Sequence, residues 1–312
     1  MLVANYYYLH VCMSKPQHCK SLLTDYQLEG TIIGNGTQGK IVRGQHIITK
    51  EMVAVKVYSL LLENKSFENE ARLLYQCMNI DQVVKPRACF TRDQKGYLIL
   101  PLFALDLCTK IMNERALGER QSAFLFKQIC EGMQKCHEMK IAHLDLKPEN
   151  ILIDTKDDRV YICDFGSSYE FNSYEEEITI GLRGTLYYSA PEVKHKNSFN
   201  PVKADIWSLG ILLHVMILGH FPSSKVASEQ IDFLNGRINF SYVQNGCSVE
   251  LYDLMISILQ LEYHKRPTVN QILAHPWFSL YERQTSPSPG SPFVSRFIDK
   301  SKKLFTSTNS VG

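Results

Sequence analysis

Apolar and polar residues alternate in short segments through the first third of the chain, which is the pattern of half-buried β-strands. The clearest of these segments are residues 31–33, 40–42, 52–58 and 97–100. One helical pattern interrupts them, near Phe67 to Met78. We therefore predict a β-rich lobe over about residues 26–102 that contains a single helix.

Helical periodicity dominates from about Ser122 onward. One predicted apolar face carries Phe124, Ile129, Met133 and Cys136, and another carries Leu251, Leu254, Ile258 and Leu259. The apolar run from Ile206 to Leu218 is short and interrupted by polar residues, so it fits a buried helix and not a transmembrane segment. A β-rich lobe followed by a helical lobe, over about residues 103–281, predicts an α+β fold with two lobes.

Both ends of the chain differ in composition from this predicted domain. Residues 1–25 form a leader without the basic start and small-residue cleavage site of a signal peptide. Residues 282–312 begin with a Ser/Pro-rich stretch, which predicts disorder. Apolar residues then interleave with basic ones over residues 293–305. This weak amphipathic pattern suits docking on a regulatory partner, on the domain itself or on an anionic membrane surface, with a solvated tail as the alternative.

The overall composition is that of an ordinary globular protein. The chain has 312 residues, of which 45% are hydrophobic and 21% are charged, enough for a sizeable core. A net charge of +2 creates no strong field, so we predict no nucleic-acid partner. Nine scattered cysteines without a Cys-x-x-Cys pair favour reduced thiols, and hence an intracellular protein of the cytoplasm or nucleus. The sequence does not predict an oligomeric state.

Two short stretches carry the candidate chemistry. Residues 143–150, with the sequence HLDLKPEN, bring an acid, a lysine and an amide together, and Asp-Phe-Gly follows from Asp164. The first stretch resembles the catalytic loop of protein kinases, and the second resembles their metal-binding motif. The resemblance implies that Asp145 accepts the proton of a substrate hydroxyl and that Lys147 neutralises charge on the moving phosphoryl group. By the same resemblance, Asn150 and Asp164 hold magnesium ions.

A glycine-rich stretch from Gly34 to Ile41 resembles the kinase loop that covers the phosphates of ATP. Gly-x-Gly-x-x-Gly alone also fits a dinucleotide-binding fold, but there a helix follows at once. Here a second strand pattern follows, and then Val-Ala-Val-Lys, which resembles the kinase strand whose lysine, here Lys56, reaches the α- and β-phosphates. Glu68 and Glu70 are the candidate anions that hold this lysine. Glu70 is favoured because apolar residues follow it at the third and fourth positions.

Residues 97–103 resemble the strand and hinge between the lobes of a kinase, with Leu100 as the gatekeeper. Pro101 lacks an N–H, but the family uses only the carbonyl there and takes its N–H donor from the position of Phe103. Asp106 is placed to meet the ribose, with a solvated loop position as the alternative. The residues that the resemblance assigns to ATP are Ile33, Gly34, Asn35, Gly36, Thr37, Gln38, Gly39, Lys40, Ile41, Ala54, Lys56, Leu100, Pro101, Phe103, Asp106 and Leu152.

Residues 184–192 resemble the end of the kinase activation segment. The match places Thr185 in the catalytic cluster and pairs Glu192 with a buried arginine, Arg266. Leu144 departs from the family, because most kinases carry an arginine there that binds an activation-loop phosphate. Leucine cannot bind phosphate in this way, so we do not expect the usual phosphate-dependent switch.

These motifs occur in family order, and the resemblance to eukaryotic-type serine/threonine protein kinases covers about residues 26–278. It implies ATP and Mg²⁺ as cofactors, and proteins with Ser or Thr acceptors as substrates. The alternative is a pseudokinase that serves as a scaffold or a nucleotide-binding module. Its signature would be the loss of Lys56, Asp145, Asn150 or Asp164, and none of them is lost. The end of the domain is similar to calcium/calmodulin-dependent kinase relatives, which does not fix the subfamily.

Overall fold

The computed structural model describes residues 25–36, 39–181, 184–196, 198–222, 235–238, 240 and 246–282. The described strands are β1 (Tyr26–Gly36), β2 (Gly39–His46), β3 (Met52–Ser59), β4 (Ala88–Arg92), β5 (Lys95–Pro101), β6 (Leu105–Asp106), β7 (Ile141–Ala142), β8 (Ile151–Asp154), β9 (Arg159–Ile162) and β10 (Tyr169–Glu170). The described α-helices are α1 (Leu60–Gln76), α2 (Leu107–Glu114), α3 (Glu119–Glu138), α4 (Pro191–His195), α5 (Pro201–Leu218), α6 (Val249–Ile258), α7 (Val269–Leu273) and α8 (Pro276–Glu282).

The first lobe is an antiparallel five-stranded sheet with the strand order β1-β2-β3-β5-β4. Alternation along β3 and β5 buries Val53, Val55 and Ile99 in one small core. The strands predicted from the sequence are confirmed. The helix, however, begins at Leu60 and not near Phe67, because the intervening residues include good helix formers and neither Gly nor Pro.

The second lobe is built around α5, the predicted buried helix. By length and composition this helix could cross a membrane, but 89% of it is buried inside the domain, as in a core helix. On α3, Ile129, Met133 and Cys136 are buried as predicted, whereas Phe124 is 52% exposed. The prediction for Phe124 was wrong because the buried stripe runs through Leu125, four residues before Ile129.

Short strands of the second lobe position the candidate chemistry. β6, β8 and β9 form one small antiparallel sheet, and β7 pairs with β10 in another. The loop of residues 143–150 connects β7 to β8, and Asp164 follows the end of β9. Because these connections are short, the predicted acid, lysine and metal ligands lie close together. The β-rich lobe and the helical lobe confirm the predicted α+β fold.

Candidate active site

A buried aspartate of the core helix fixes the loop between β7 and β8. Asp205 accepts hydrogen bonds from the backbone N–H groups of His143 and Leu144, both at 2.8 Å, and it contacts His137 Nε2 at 2.9 Å. These bonds hold Leu144 at a φ of 61°, a left-handed conformation that is unfavourable for a branched side chain. The loop therefore keeps one shape, which sets the direction of the next residue, Asp145.

The carboxylate of Asp145 lies in a cluster of hydrogen-bond donors. Lys147 Nζ is 2.9 Å from Oδ2, and the Thr185 hydroxyl donates to Oδ1 at 2.9 Å. The Lys147 ammonium also donates to Thr185 Oγ1 at 2.7 Å, so the structure brings these three predicted residues together. The amide nitrogen of Asn150 donates to the Asp145 carbonyl oxygen at 2.8 Å. Its amide oxygen is therefore the atom with which Asn150 would hold a metal ion.

Gly184 allows the activation segment to approach the catalytic loop this closely. Its φ is 75°, and a Cβ there would lie 2.2 Å from the Leu144 carbonyl oxygen and 3.1 Å from Asp145 Oδ1. A larger residue would be strained and would collide with backbone that cannot move easily. Glycine at this position therefore lets Thr185 reach Asp145.

Asp164 begins a 3₁₀ turn, Phe165–Ser167, with a φ of 63°. Phe165 is fully buried and meets the ring of His143 edge-on, at 4.9 Å between the ring centroids. The Nε2 atom of His143 lies 3.0 Å from the carbonyl oxygen of Cys163. His143 is thus a packing residue, and it holds the turn that presents the Asp164 carboxylate.

Lys56 joins the two lobes. Its Nζ is 2.8 Å from Glu70 Oε2 on α1 and 2.7 Å from Asp164 Oδ1. Glu70 is fully buried and Glu68 is exposed, so Glu70 is the residue that pairs with Lys56. Burial alone would lower the pKa of Lys56, but the two carboxylates raise it well above its ordinary value. Burial alone would raise the pKa of Asp164, but Lys56, together with His143 and the Gly166 N–H, outweighs burial and lowers it.

The predicted glycine-rich loop is the hairpin between β1 and β2. Gly34 lies opposite Ile41, Asn35 opposite Lys40 and Gly36 opposite Gly39, while Ile33 precedes them on β1. Thr37 and Gln38 lie outside the described residues. Gly39 has a φ of 146°, and a Cβ there would lie 2.5 Å from the Val57 carbonyl oxygen. The hairpin backbone therefore packs directly on β3, one residue from Lys56.

The predicted adenine-binding residues are held in register by strand pairing. Ala54 of β3 lies opposite Leu100 of β5, and Val53 lies opposite Pro101. Leu152 of β8 lies opposite Asp106 of β6. Phe103 lies in the connection between β5 and β6, and its ring centroid is 5.0 Å from that of Tyr161. Their contacts with a nucleotide remain predictions.

Asp106 is the N-cap of α2 and not a solvated loop residue. Its carboxylate accepts hydrogen bonds from the backbone N–H of Thr109 at 2.8 Å and from the Thr109 hydroxyl at 3.0 Å. One oxygen therefore caps the helix backbone, and the other is bonded to a side chain of the first turn. An aspartate just before a helical apolar pattern is a known helix-start signal, which sequence reasoning passed over. Its contact with a ribose remains a prediction.

Apolar and ionic contacts anchor the activation segment. Leu144 is only 8% exposed and lines a small apolar pocket with Val193 and Phe199. Glu192 and Arg266 form the predicted buried pair, with two parallel contacts of 2.5 and 2.8 Å. The packing of Leu144 and the Glu192–Arg266 pair therefore both hold the end of the activation segment against the second lobe.

Sequence reasoning missed Tyr58 of β3. Its hydroxyl donates a hydrogen bond to Oε2 of Glu70, the oxygen that also accepts from Lys56. Residues two apart on a strand share a face of the sheet, so Tyr58 must lie on the same side as Lys56. That alternation was the signal in the sequence that could have identified it.

The chain matches the family model described as protein kinase domain over residues 27–278. This match covers most of the chain, and the chain therefore belongs to the protein kinase family. The fold, the site geometry and this match confirm the family predicted from the sequence.

Curated relatives point to the serine/threonine class of the family. The chain is 29% identical to serine/threonine-protein kinase D2 of Rattus norvegicus, over 88% of this chain and 32% of the relative. It is 31% identical to sperm motility kinase 2B of Mus musculus, over 78% of this chain and 50% of the relative. It is 28% identical to calcium-dependent protein kinase 5 of Plasmodium berghei, over 89% of this chain and 50% of the relative. The chain thus spans about a third to a half of the length of these relatives.

Proposed function

We propose that this chain transfers the γ-phosphoryl group of ATP to serine and threonine hydroxyls of proteins. The observation that carries the proposal is the assembled set of polar groups. Asp145 is bonded to Lys147 and Thr185, and Lys56 is bonded to both Glu70 and Asp164. Phosphoryl transfer needs this kind of positioning and charge neutralisation more than covalent chemistry.

The residues present fit ATP and Mg²⁺. Glycine at positions 34, 36 and 39 leaves the β1–β2 hairpin without side chains there, so its backbone could come close to phosphates. Asp164 keeps a carboxylate because its pKa is lowered by Lys56, and its side chain is 34% exposed. Carboxylate and amide oxygens are the protein ligands that Mg²⁺ prefers, so Asp164 and Asn150 would hold it. When bound, Mg²⁺ neutralises charge that develops on the phosphates.

The roles of the chain's own residues follow from their contacts. Asp145 would orient the acceptor hydroxyl and take its proton, because its carboxylate is fixed from two sides by Lys147 and Thr185. Lys147, at the same place, would balance negative charge near the acceptor. Lys56 would hold the α- and β-phosphates, as the family resemblance implies, while Glu70 keeps its ammonium in place.

A pseudokinase scaffold is the competing function. It would tolerate the loss of any of the four polar residues that catalysis requires, but Lys56, Asp145, Asn150 and Asp164 are all present. Their contacts with one another are also formed. Phosphoryl transfer accounts for both facts, and scaffolding alone accounts for neither.

The proposal extends to partners and location. A regulatory partner would act through residues 1–25 or 293–305, and a membrane surface through residues 293–305, where apolar and basic residues interleave. Residues 1–24 and 293–305 lie outside the described residues. The described cysteines are free thiols, which is in keeping with an intracellular location.

The direct test is a phosphorylation assay. Purified chain is incubated with labelled ATP, Mg²⁺ and a degenerate peptide library whose acceptors are serine, threonine or tyrosine. We expect label on serine and threonine peptides, and none without Mg²⁺. Nucleotide binding without transfer to any peptide would favour the scaffold.

A further inference from the structure

The carboxylate of Glu70 depends on two donors from one strand. Lys56 Nζ lies 2.8 Å from Oε2, and the Tyr58 hydroxyl donates to that same oxygen. The other oxygen, Oε1, is buried and has no hydrogen-bond partner among the described residues. Glu70 and Tyr58 are both fully buried. Because this buried carboxylate has so few partners, the loss of either donor would weaken its fixed position.

The ring of Tyr58 is held so that its hydroxyl can reach Glu70. It packs against Phe67 of α1 at 5.4 Å between ring centroids, and Lys56 Nζ lies 5.3 Å from its centroid. Gly96 of β5 leaves room for this packing, since a Cβ there would lie 2.7 Å from the Phe67 ring. The hydroxyl is therefore directed by close packing.

Lys56 has a long side chain with several rotatable bonds, so fixing its ammonium costs conformational entropy. Glu70 offsets that cost only if its own carboxylate stays in one place. The carboxylate is carried on α1, whereas both of its donors are carried on β3. The hydrogen bond from the Tyr58 hydroxyl to the same oxygen therefore adds a second contact between β3 and α1, next to the one that positions the Lys56 ammonium.

We propose that Tyr58 is a positioning residue for phosphoryl transfer. Its hydroxyl fixes the Glu70 carboxylate, and through it the Lys56 ammonium that would meet the phosphates of ATP. This inference rests on the proposed kinase function. The competing explanation is that Tyr58 only fills the core beneath the sheet, in which case its hydroxyl is dispensable for the rate.

Tyr58→Phe separates these explanations because it keeps the ring and removes only the hydroxyl. The matched control is Tyr97→Phe on β5. Tyr97 lies opposite Val57, so it faces the other side of the sheet. For each variant, kcat and KM for ATP and for a serine peptide are measured, together with thermal unfolding to verify that the variant is folded.

We expect Tyr58→Phe to lower kcat/KM for ATP by about tenfold, with the KM for the peptide unchanged, because a hydrogen bond to a buried charge is lost. Tyr97→Phe should stay within about twofold of the parent, as expected for a substitution away from the site. In a Glu70→Gln background, the additional effect of Tyr58→Phe should fall to less than about twofold, since its target has changed.

Three results would overturn the inference. One is a folded Tyr58→Phe variant as active as the parent. Another is an equal loss in the parent and Glu70→Gln backgrounds, since the hydroxyl would then not act through Glu70. The third is an equal change in the KM values for ATP and for the peptide, which indicates general loosening. A parent that fails to phosphorylate any peptide would instead remove the proposed function, and this inference with it.

Discussion

At the scale of single residues, burial decides how much each charged pair contributes to the stability of the fold. Arg266 and Glu192 are both buried and pair through two contacts of 2.5 and 2.8 Å. Arg159 and Asp157 pair at 2.9 Å, but their side chains are 71% and 43% exposed. Removing one partner of a buried pair leaves the other charge uncompensated, whereas an exposed pair is screened by water.

Arg266→Ala is therefore expected to lower the free energy of unfolding by about 3–5 kcal/mol. Arg159→Ala is the matched control and should change it by less than about 1 kcal/mol. Urea unfolding of both variants, monitored by circular dichroism, measures the difference. Equal destabilisation by the two substitutions would contradict the assignment of Glu192 and Arg266 as a buried structural pair.

Residue types predicted the site best where the chemistry is local in sequence. Asp145, Lys147 and Asn150 lie within one short loop, and the resemblance of that loop to the kinase catalytic loop was enough to imply what they could do together. The hydrogen bond of Tyr58 was missed because it depends on packing, and the capping role of Asp106 was missed because it depends on the exact start of a helix. The residue pattern shows which groups are available, but their partners depend on the fold.

At the scale of elements, one carboxylate joins three helices of the second lobe. Glu119, in the first turn of α3, accepts from the N–H and hydroxyl of Ser248, the N-cap of α6, at 2.8 and 2.6 Å. It also accepts from Trp277 Nε1 and the Tyr281 hydroxyl of α8, both at 3.0 Å. Burial alone would raise the pKa of Glu119, but these hydrogen bonds outweigh burial and lower it.

From these contacts of Glu119, we predict that the stability of the protein depends on pH. Because the folded pKa of Glu119 is below its unfolded value, about 4.3 for a free glutamate, its stabilisation is complete above that value. The stabilisation is lost as the pH falls through the folded pKa. The melting temperature of the parent should exceed that of Glu119→Gln at pH 7, and the gap should narrow as the pH is lowered below about 4.3. Glu138→Gln, at an exposed position of the same helix, should show no such gap. A gap between parent and Glu119→Gln that is independent of pH would contradict this account.

From the contacts of the activation segment and Leu144, we predict that the activity depends only weakly on phosphorylation of that segment. Leu144 is packed in an apolar pocket and cannot bind a phosphate. The hydroxyl of Ser173 contacts the carboxylate of Glu175 at 2.9 Å, so a phosphate there would be repelled. Phosphatase-treated enzyme should keep most of its initial rate, compared with enzyme treated with inhibited phosphatase. A tenfold drop that phosphorylation at Ser173 or Thr179 restores would contradict this prediction.

Secondary structure was predictable where the pattern was clear over several residues. Strands β1, β2, β3 and β5 were predicted from alternation, and the buried helix α5 from its apolar run, whereas β4 was not predicted. The start of α1 was not predicted. Its first residues are good helix formers, but they do not show a clear apolar stripe. Phe124 was placed on the wrong face because one exposed aromatic residue cannot be told from a buried one by type alone.

At the scale of the whole molecule, the remaining prediction concerns the tail beyond α8. Residues 293–305 carry the weak basic amphipathic pattern and lie outside the described residues. If the tail is solvated, truncation after Tyr281 should change neither the peptide phosphorylation rate nor binding to anionic liposomes, with neutral liposomes as the control. A loss of liposome binding would assign a membrane role to the tail, and a change in rate would assign a regulatory one.

The central claim is that the assembled cluster around Asp145 transfers a phosphoryl group. The most direct measurement compares the parent with Asp145→Asn, using labelled ATP, Mg²⁺ and a serine peptide. The amide keeps the shape of the side chain but cannot take the proton of the acceptor hydroxyl. We predict that ATP binding is retained while phosphoryl transfer falls by at least about 100-fold. Transfer by Asp145→Asn at the rate of the parent would contradict the account.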